Sequence, residues 1–211
     1  MSQKQQAKRK VLLVVMDGIG ARQGAYGNAV VQAHTPQLDF LKKNAFYAEL
    51  KAHGSSVGLP NDDDMGNSEV GHNAIGAGRI INQGALLVSD AIKNKSLYQK
   101  NSWQKMLVSI HKDKTLHFIG LLSDGNVHSH EEHLHALLKQ TWKEGVKKIR
   151  IHCLLDGRDV APQSAQIYLA RLEKLIHELQ QASCDIAIAS VGGRMKITMD
   201  RYKADWNMVK Q

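Results

Sequence analysis

Long apolar runs, aromatic side chains and cysteines are all scarce in this chain of 211 residues, and each scarcity removes a class of function. No apolar stretch approaches the roughly 20 residues that a membrane-spanning helix needs. Residues 1–10 (MSQKQQAKRK) are polar and basic, with no signal-peptide cleavage pattern behind them, so a cytoplasmic protein without a membrane partner is expected. Aromatic residues make up only 5% of the chain, and the basic residues (Lys42, Lys43, Lys93, Lys95, Lys147, Lys148) are scattered rather than gathered on one helix face. A stacking platform for bases is therefore excluded, and no nucleic-acid partner is expected despite a formal net charge of +8. Cys153 and Cys184 lie in separate apolar, strand-like runs without CxxC spacing, which predicts buried free thiols rather than a disulfide or a metal site.

What is present is enough apolar material, 43% of residues, for one sizeable core or two small ones. Short β-branched or leucine-rich runs alternate with longer amphipathic ones, the signature of parallel βα units and of an α/β fold. The pattern predicts strands over 10–16, 45–52, 115–122, 148–155 and 184–191. It predicts helices over 36–44, opened by Thr35-Pro36, over 82–96 and 131–144, and over 163–181, opened by Pro162. The run 71–84, rich in glycine and asparagine, reads as a domain crossing.

Polar, glycine-punctuated crests follow four of these strands: Asp17-Gly18, Ser123-Asp124-Gly125-Asn126-Val127-His128, Asp156-Gly157-Arg158-Asp159 and Gly192-Gly193-Arg194. In an open α/β sheet the ligand crevice lies at the carboxyl ends of the strands, so these crests define a candidate site. Arg158 offers a planar fork for a carboxylate or phosphate, and Asp159 can hold a hydroxyl or fix the guanidinium; an internal Arg-Asp ion pair fits the spacing equally. Arg194 and Arg201, flanking Met199-Asp200, repeat the theme. Three arginines at strand ends suggest a ligand with more than one negative group.

The octapeptide Met65-Gly66-Asn67-Ser68-Glu69-Val70-Gly71-His72 supports two readings. One is a held-out serine nucleophile, with Asn67 and free N–H groups donating to an oxyanion or phosphate. The other is a glycine-rich turn that caps a helix at Ser68. Asp17 and Ser68 together suggest divalent-metal chemistry, in which the ion lowers the pKa of the serine hydroxyl, but two ligands fall short of the three that a catalytic site wants. The Asp62-Asp63-Asp64 run reads as a solvated loop. His128, His130, His133 and His135 have a spacing that invites a metal, yet on a helix His133 and His135 point about 200° apart. At most two of the four can share a ligand with His128, and the preferred reading is His128 against an anionic substrate, with the others capping or solvated.

These blocks together resemble the amino-terminal part of the cofactor-independent (2,3-bisphosphoglycerate-independent) phosphoglycerate mutases. The resemblance rests on Val14-Val15-Met16-Asp17-Gly18, Val57-Gly58-Leu59-Pro60, Asp62 through His72, Gly76-Ala77-Gly78-Arg79, Ser123 through His130, Leu155 through Asp159, and Gly192-Gly193-Arg194 through Met199-Asp200-Arg201. They run in family order over nearly the whole chain. The resemblance implies part of an alkaline-phosphatase-like metal domain over 1–82, followed by the first part of an inserted α/β transferase domain over 83–211. It implies an isomerase of glycolysis and gluconeogenesis that moves the phosphoryl group of 3-phosphoglycerate onto serine and returns it to give 2-phosphoglycerate. Ser68 matches the catalytic nucleophile and, with Asp17, a metal ligand; His128, Arg158, Asp159, Arg194 and Arg201 match substrate-binding positions. Two manganese ions or substitutes, no added 2,3-bisphosphoglycerate and a monomeric complete enzyme are implied as well. Family members are well over twice this length, so a fragment of such an enzyme is expected; the alternative is a catalytically incomplete remnant acting as a binding or regulatory partner.

Overall fold

The computed structural model describes residues 10–16, 18–110 and 114–197. By contacts the chain divides into two compact units at Lys51/Ala52.

Among the described residues of the first unit, α1 (Ala29–Gln32) and α2 (Pro36–Asn44) are the regular elements. The segments 10–16 and 45–52, expected as strands, carry no regular structure. Their apolar side chains face solvent: Val11 is 90% exposed and Leu12 88%. An apolar, β-branched pattern specifies a strand only where a neighbour completes its hydrogen-bond ladder, and among the described residues neither segment has one.

The second unit opens on a 3-10 turn, Gly54–Val57, followed by α3 (Ser68–Ala77) and α4 (Gly84–Lys93). Helix α3 takes up the first half of the run 71–84, with Gly71 and Gly76 helical. Each costs about 1 kcal/mol relative to alanine. The helix persists because Asn67 caps its start, Val70 packs on Val57 and Leu59, and Gly78 ends it in the left-handed conformation with its N–H on Ala74 and Ile75. Gln83, just ahead of α4, is buried and holds the Val57 carbonyl through its side-chain amide at 3.0 Å.

A second 3-10 turn, Ser96–Gln99, leads to α5 (Asn101–Ser109) and then to alternating elements: β1 (Leu116–Leu122), α6 (Glu131–Lys143), β2 (Lys148–Leu155), α7 (Ala165–Gln181), β3 (Asp185–Gly193) and α8 (Arg194–Ile197). Three of the five expected strands thus form, with β2 at the expected bounds. The sheet is parallel, in the order β1-β2-β3, with β2 central and a register shift against β3 at Ile151/His152. One face of β2, Ile149, Ile151 and Cys153, is almost wholly buried with Leu122 and Ile186 beneath α6 and α7. Helix α7 supplies Leu172, Leu175, Ile176 and Leu179, a stripe at three- and four-residue spacing. Burying each such side chain stabilises the fold by about 1.5–3 kcal/mol. The opposite face carries His117, His152 and Ser190, one from each strand, linked at 2.9 and 2.8 Å. Cys153 and Cys184 are buried free thiols, as expected, and burial pushes both upward in pKa.

Candidate active site

The start of α3 is built by backbone proximity. A Cβ on Gly66 would lie 1.8 Å from the Ala52 carbonyl oxygen, so only glycine fits where the chain enters the helix. Asn67 is the N-cap, its side-chain oxygen accepting from the Val70 N–H at 3.0 Å. Ser68 is therefore the first helical residue rather than the cap, and it is exposed. The cap function belongs to its neighbour, which leaves the Ser68 hydroxyl unclaimed by the helix end. His72, one turn on, places Nδ1 2.7 Å from the Ser68 carbonyl oxygen and 3.4 Å from its Oγ. A carbonyl only accepts, so this nitrogen carries a proton and cannot also take one from the hydroxyl.

The ends of the three strands form the other half. Ser123, buried at the end of β1, donates through Oγ to Asp156 Oδ2 at 2.6 Å. Asp156 Oδ1 accepts from the backbone N–H groups of Arg158 and Asp159 at 3.0 and 3.1 Å and from Arg194 at 3.1 Å. Arg194 also donates to Asp159 Oδ2 at 2.7 Å, and His128 Nδ1 lies 2.7 Å from that same oxygen. The crests of β1 and β2 meet closely because residue 125 has no side chain: a Cβ there would stand 2.9 Å from the Asp159 carbonyl oxygen. Burial works to raise the Asp156 pKa, but the hydrogen bonds from Ser123, the two N–H groups and Arg194 outweigh it, and the carboxyl sits below its ordinary value.

Both halves line one open cavity of about 660 Å³: Met65 to Glu69 on one side, Gly125, Val127, His128, Arg158 and Asp159 on the other, with Asp63 at the edge. Ser68, His128, Arg158 and Asp159 are thus brought together on one cavity wall. Since Asp159 takes the Nδ1 side of His128, Nε2 is the ring nitrogen available to a ligand. The wall offers a hydroxyl, a guanidinium, an imidazole and the first N–H groups of a helix, a set suited to a small polyanion.

Arg194 is placed differently. Its side chain is 6% exposed, held by two carboxylates, and lies outside the cavity lining. Asp17 and Arg201 lie outside the described residues. The four histidines do not converge on one point: His130 caps α6 with its ring centroid 5.7 Å from that of His133, His133 pairs with Ser89 at 2.8 Å, and the Nε2 atom of His135 is buried without a hydrogen-bond partner among the described residues. Among the described residues no group of three or more His, Cys, Asp or Glu is arranged to hold a metal. With Ser68 the single expected ligand among them, the described residues do not make up a manganese site. No described helix is long and apolar enough to cross a membrane.

Several residues of the site were not singled out from the sequence. In the sequence Ser123 and Asp156 stand only as the first members of their crests. Arg171 and Tyr168, one turn apart on α7, fix the β1 crest: Arg171 pairs with Asp124 at 3.2 Å and with the buried Glu131, and Tyr168 donates to Asp124 at 2.8 Å. The available signal was a Tyr-x-x-Arg pair at the edge of the apolar stripe of α7, Tyr168 buried and Arg171 exposed, which local patterning alone does not connect to a residue more than 40 positions away.

Residues 88–211 match the family model described as BPG-independent PGAM N-terminus. Over 206 residues the chain is 49% identical to a protein of Leptospira interrogans named probable 2,3-bisphosphoglycerate-independent phosphoglycerate mutase, covering 96% of this chain and 38% of that one. It is 45% identical to the 2,3-bisphosphoglycerate-independent phosphoglycerate mutase of Trypanosoma brucei brucei, covering 97% and 37%. Among solved structures, the phosphoglycerate mutase of Leishmania mexicana, determined at low cobalt concentration, superposes with a TM-score of 0.76 at 47% identity, over 86% of this chain and 34% of that one. The chain spans less than two fifths of the length of the curated relatives that it matches.

Proposed function

Because the chain belongs to the BPG-independent phosphoglycerate mutase amino-terminal family, we propose that it carries the nucleophile and part of the substrate wall of an isomerase of glycolysis and gluconeogenesis. The reaction interconverts 3-phosphoglycerate and 2-phosphoglycerate. In it the Ser68 oxygen bonds to phosphorus as the bond to the C3 oxygen breaks, the serine proton leaves, and the C3 oxygen takes up a proton. After glycerate turns, its 2-hydroxyl attacks the phosphoserine and regenerates Ser68.

The observation that carries this reading is the shared cavity, in which an exposed serine at a helix start faces His128 and Arg158. Arg158 and the Nε2 edge of His128 suit the carboxylate and phosphate of the substrate, and Asp159 orients His128. Arg194 and Arg201 complete the proposed substrate-binding set, Arg194 through its grip on Asp159. The division into a metal-domain segment, 1–82, and an inserted-domain segment, 83–211, belongs to the same reading, as do a cytoplasmic location and a monomeric state at full length. Manganese dependence, with Asp17 and Ser68 among the ligands, is carried over with the family.

The test is a coupled mutase assay on a chain completed to the length of its relatives, with manganese and no added 2,3-bisphosphoglycerate. Ser68→Ala is expected to abolish turnover while substrate still binds. Retained turnover removes Ser68 as the nucleophile.

A further inference from the structure

We propose that Asp156 is a positioning residue for this anion site, holding the ends of all three strands in the arrangement that presents His128 and Arg158 to the ligand. The inference rests on the phosphoglycerate reading for the identity of the ligand, and on geometry for everything else. Asp156 is 1% exposed and is not among the residues that line the cavity. Its two oxygens collect four donors from three crests: the Ser123 hydroxyl from β1, the N–H groups of Arg158 and Asp159 from β2, and the guanidinium of Arg194 beyond β3.

The consequence for His128 runs through charge. Arg194 is a nearly buried cation that divides itself between Asp156 and Asp159, and His128 shares the same Asp159 oxygen. With Asp156 neutral, Arg194 loses one of its two carboxylates and leans more on Asp159, in competition with His128, because removing one partner of a buried charge is costly. At the same time the N–H groups of Arg158 and Asp159 lose a charged acceptor, and the turn that aims the Arg158 side chain loosens. Neither effect requires the β-sheet to change, since its core lies on the buried face beneath α6 and α7.

The experiment is nuclear magnetic resonance of the 211-residue chain with 3-phosphoglycerate as probe, comparing the unmodified protein with Asp156→Asn and with Ser123→Ala, which removes one of the four donors. The expected result for Asp156→Asn is unchanged sheet amides, displaced His128 ring and Arg194 guanidinium signals, and an affinity at least tenfold weaker; Ser123→Ala shifts the same signals by less. Unmoved His128 and Arg194 signals, or moved signals with unchanged affinity, overturn the proposal. Should Asp156→Asn not fold, Ser123→Ala decides by the same criteria. If the unmodified 211-residue chain does not bind 3-phosphoglycerate, the affinities are compared on the chain completed to the length of its relatives, where absence of binding overturns the phosphoglycerate reading, and the His128 and Arg194 signals still decide whether Asp156 positions the site.

Discussion

His128 and Asp159, 31 residues apart, meet at 2.7 Å between Nδ1 and Oδ2, joining the crest after β1 to the crest after β2. The Asp159 side chain is 9% exposed, whereas that of His128 is 56% exposed. The carboxylate is thus part of the scaffold and the imidazole part of the surface that a ligand meets.

Arg158→Ala is expected to weaken 3-phosphoglycerate binding by about 1.5–3 kcal/mol, the usual worth of a hydrogen bond to a charged group. Calorimetric titration checks it. Unchanged affinity assigns Arg158 to internal pairing instead.

Gly125→Ala is expected to destabilise the second unit by about 1–3 kcal/mol, the ordinary cost of overpacking, because the new methyl meets backbone atoms of Asp159 at 2.9 and 3.2 Å. The same change should move the His128 ring signals. Thermal unfolding with and without the substitution measures the first effect.

Asn67 and Ser68 should separate cap from nucleophile. Asn67→Ala removes the acceptor of the Val70 N–H and is expected to cost about 0.5–2 kcal/mol of stability. Ser68→Ala, at a position that does not cap, should stay within about 0.5 kcal/mol of the parent. Chemical denaturation of the two variants is the check; a larger loss for Ser68→Ala returns the serine to a capping role.

Much of this arrangement was readable in advance, and the unread part has a common physical cause. Helix α2 and strand β2 form at their expected bounds because local periodicity and flanking residues suffice for them. Residues 10–16 have the composition of a strand but not the form, since a ladder partner is a property of another segment. Gly71 and Gly76 are poor helix formers by type, yet the Asn67 cap and the Val70 contact outweigh their helix cost. Ser68, His128, Arg158 and Asp159 were visible as residue types at strand and helix ends. Asp156 and Arg171 were not, because their side-chain partners lie 33 to 47 residues away.

Acid should weaken the fold before its carboxylates titrate. Burial holds His133 below its ordinary value of 6.5, with His130 adding to the effect; burial does the same for His135, against an opposing pull from Glu131. Depressed values mean that the unfolded chain binds the extra protons first. Stability is therefore greatest above about pH 6.5 and falls as the pH drops through that value toward each folded-state pKa. Unfolding temperatures between pH 7.5 and 5.5 should decline, and His135→Gln should flatten the decline. An equally steep decline in that variant removes His135 as a source.

The most direct test of the shared site is a titration of the 211-residue chain with 3-phosphoglycerate, followed by nuclear magnetic resonance of the Ser68 and Glu69 amides, the His128 ring and the Arg158 guanidinium. One saturable process that moves all four sets together is the predicted result. Shifts on one side of the cavity without the other, or none at millimolar ligand, would contradict a single anion site formed by the start of α3 and the strand ends.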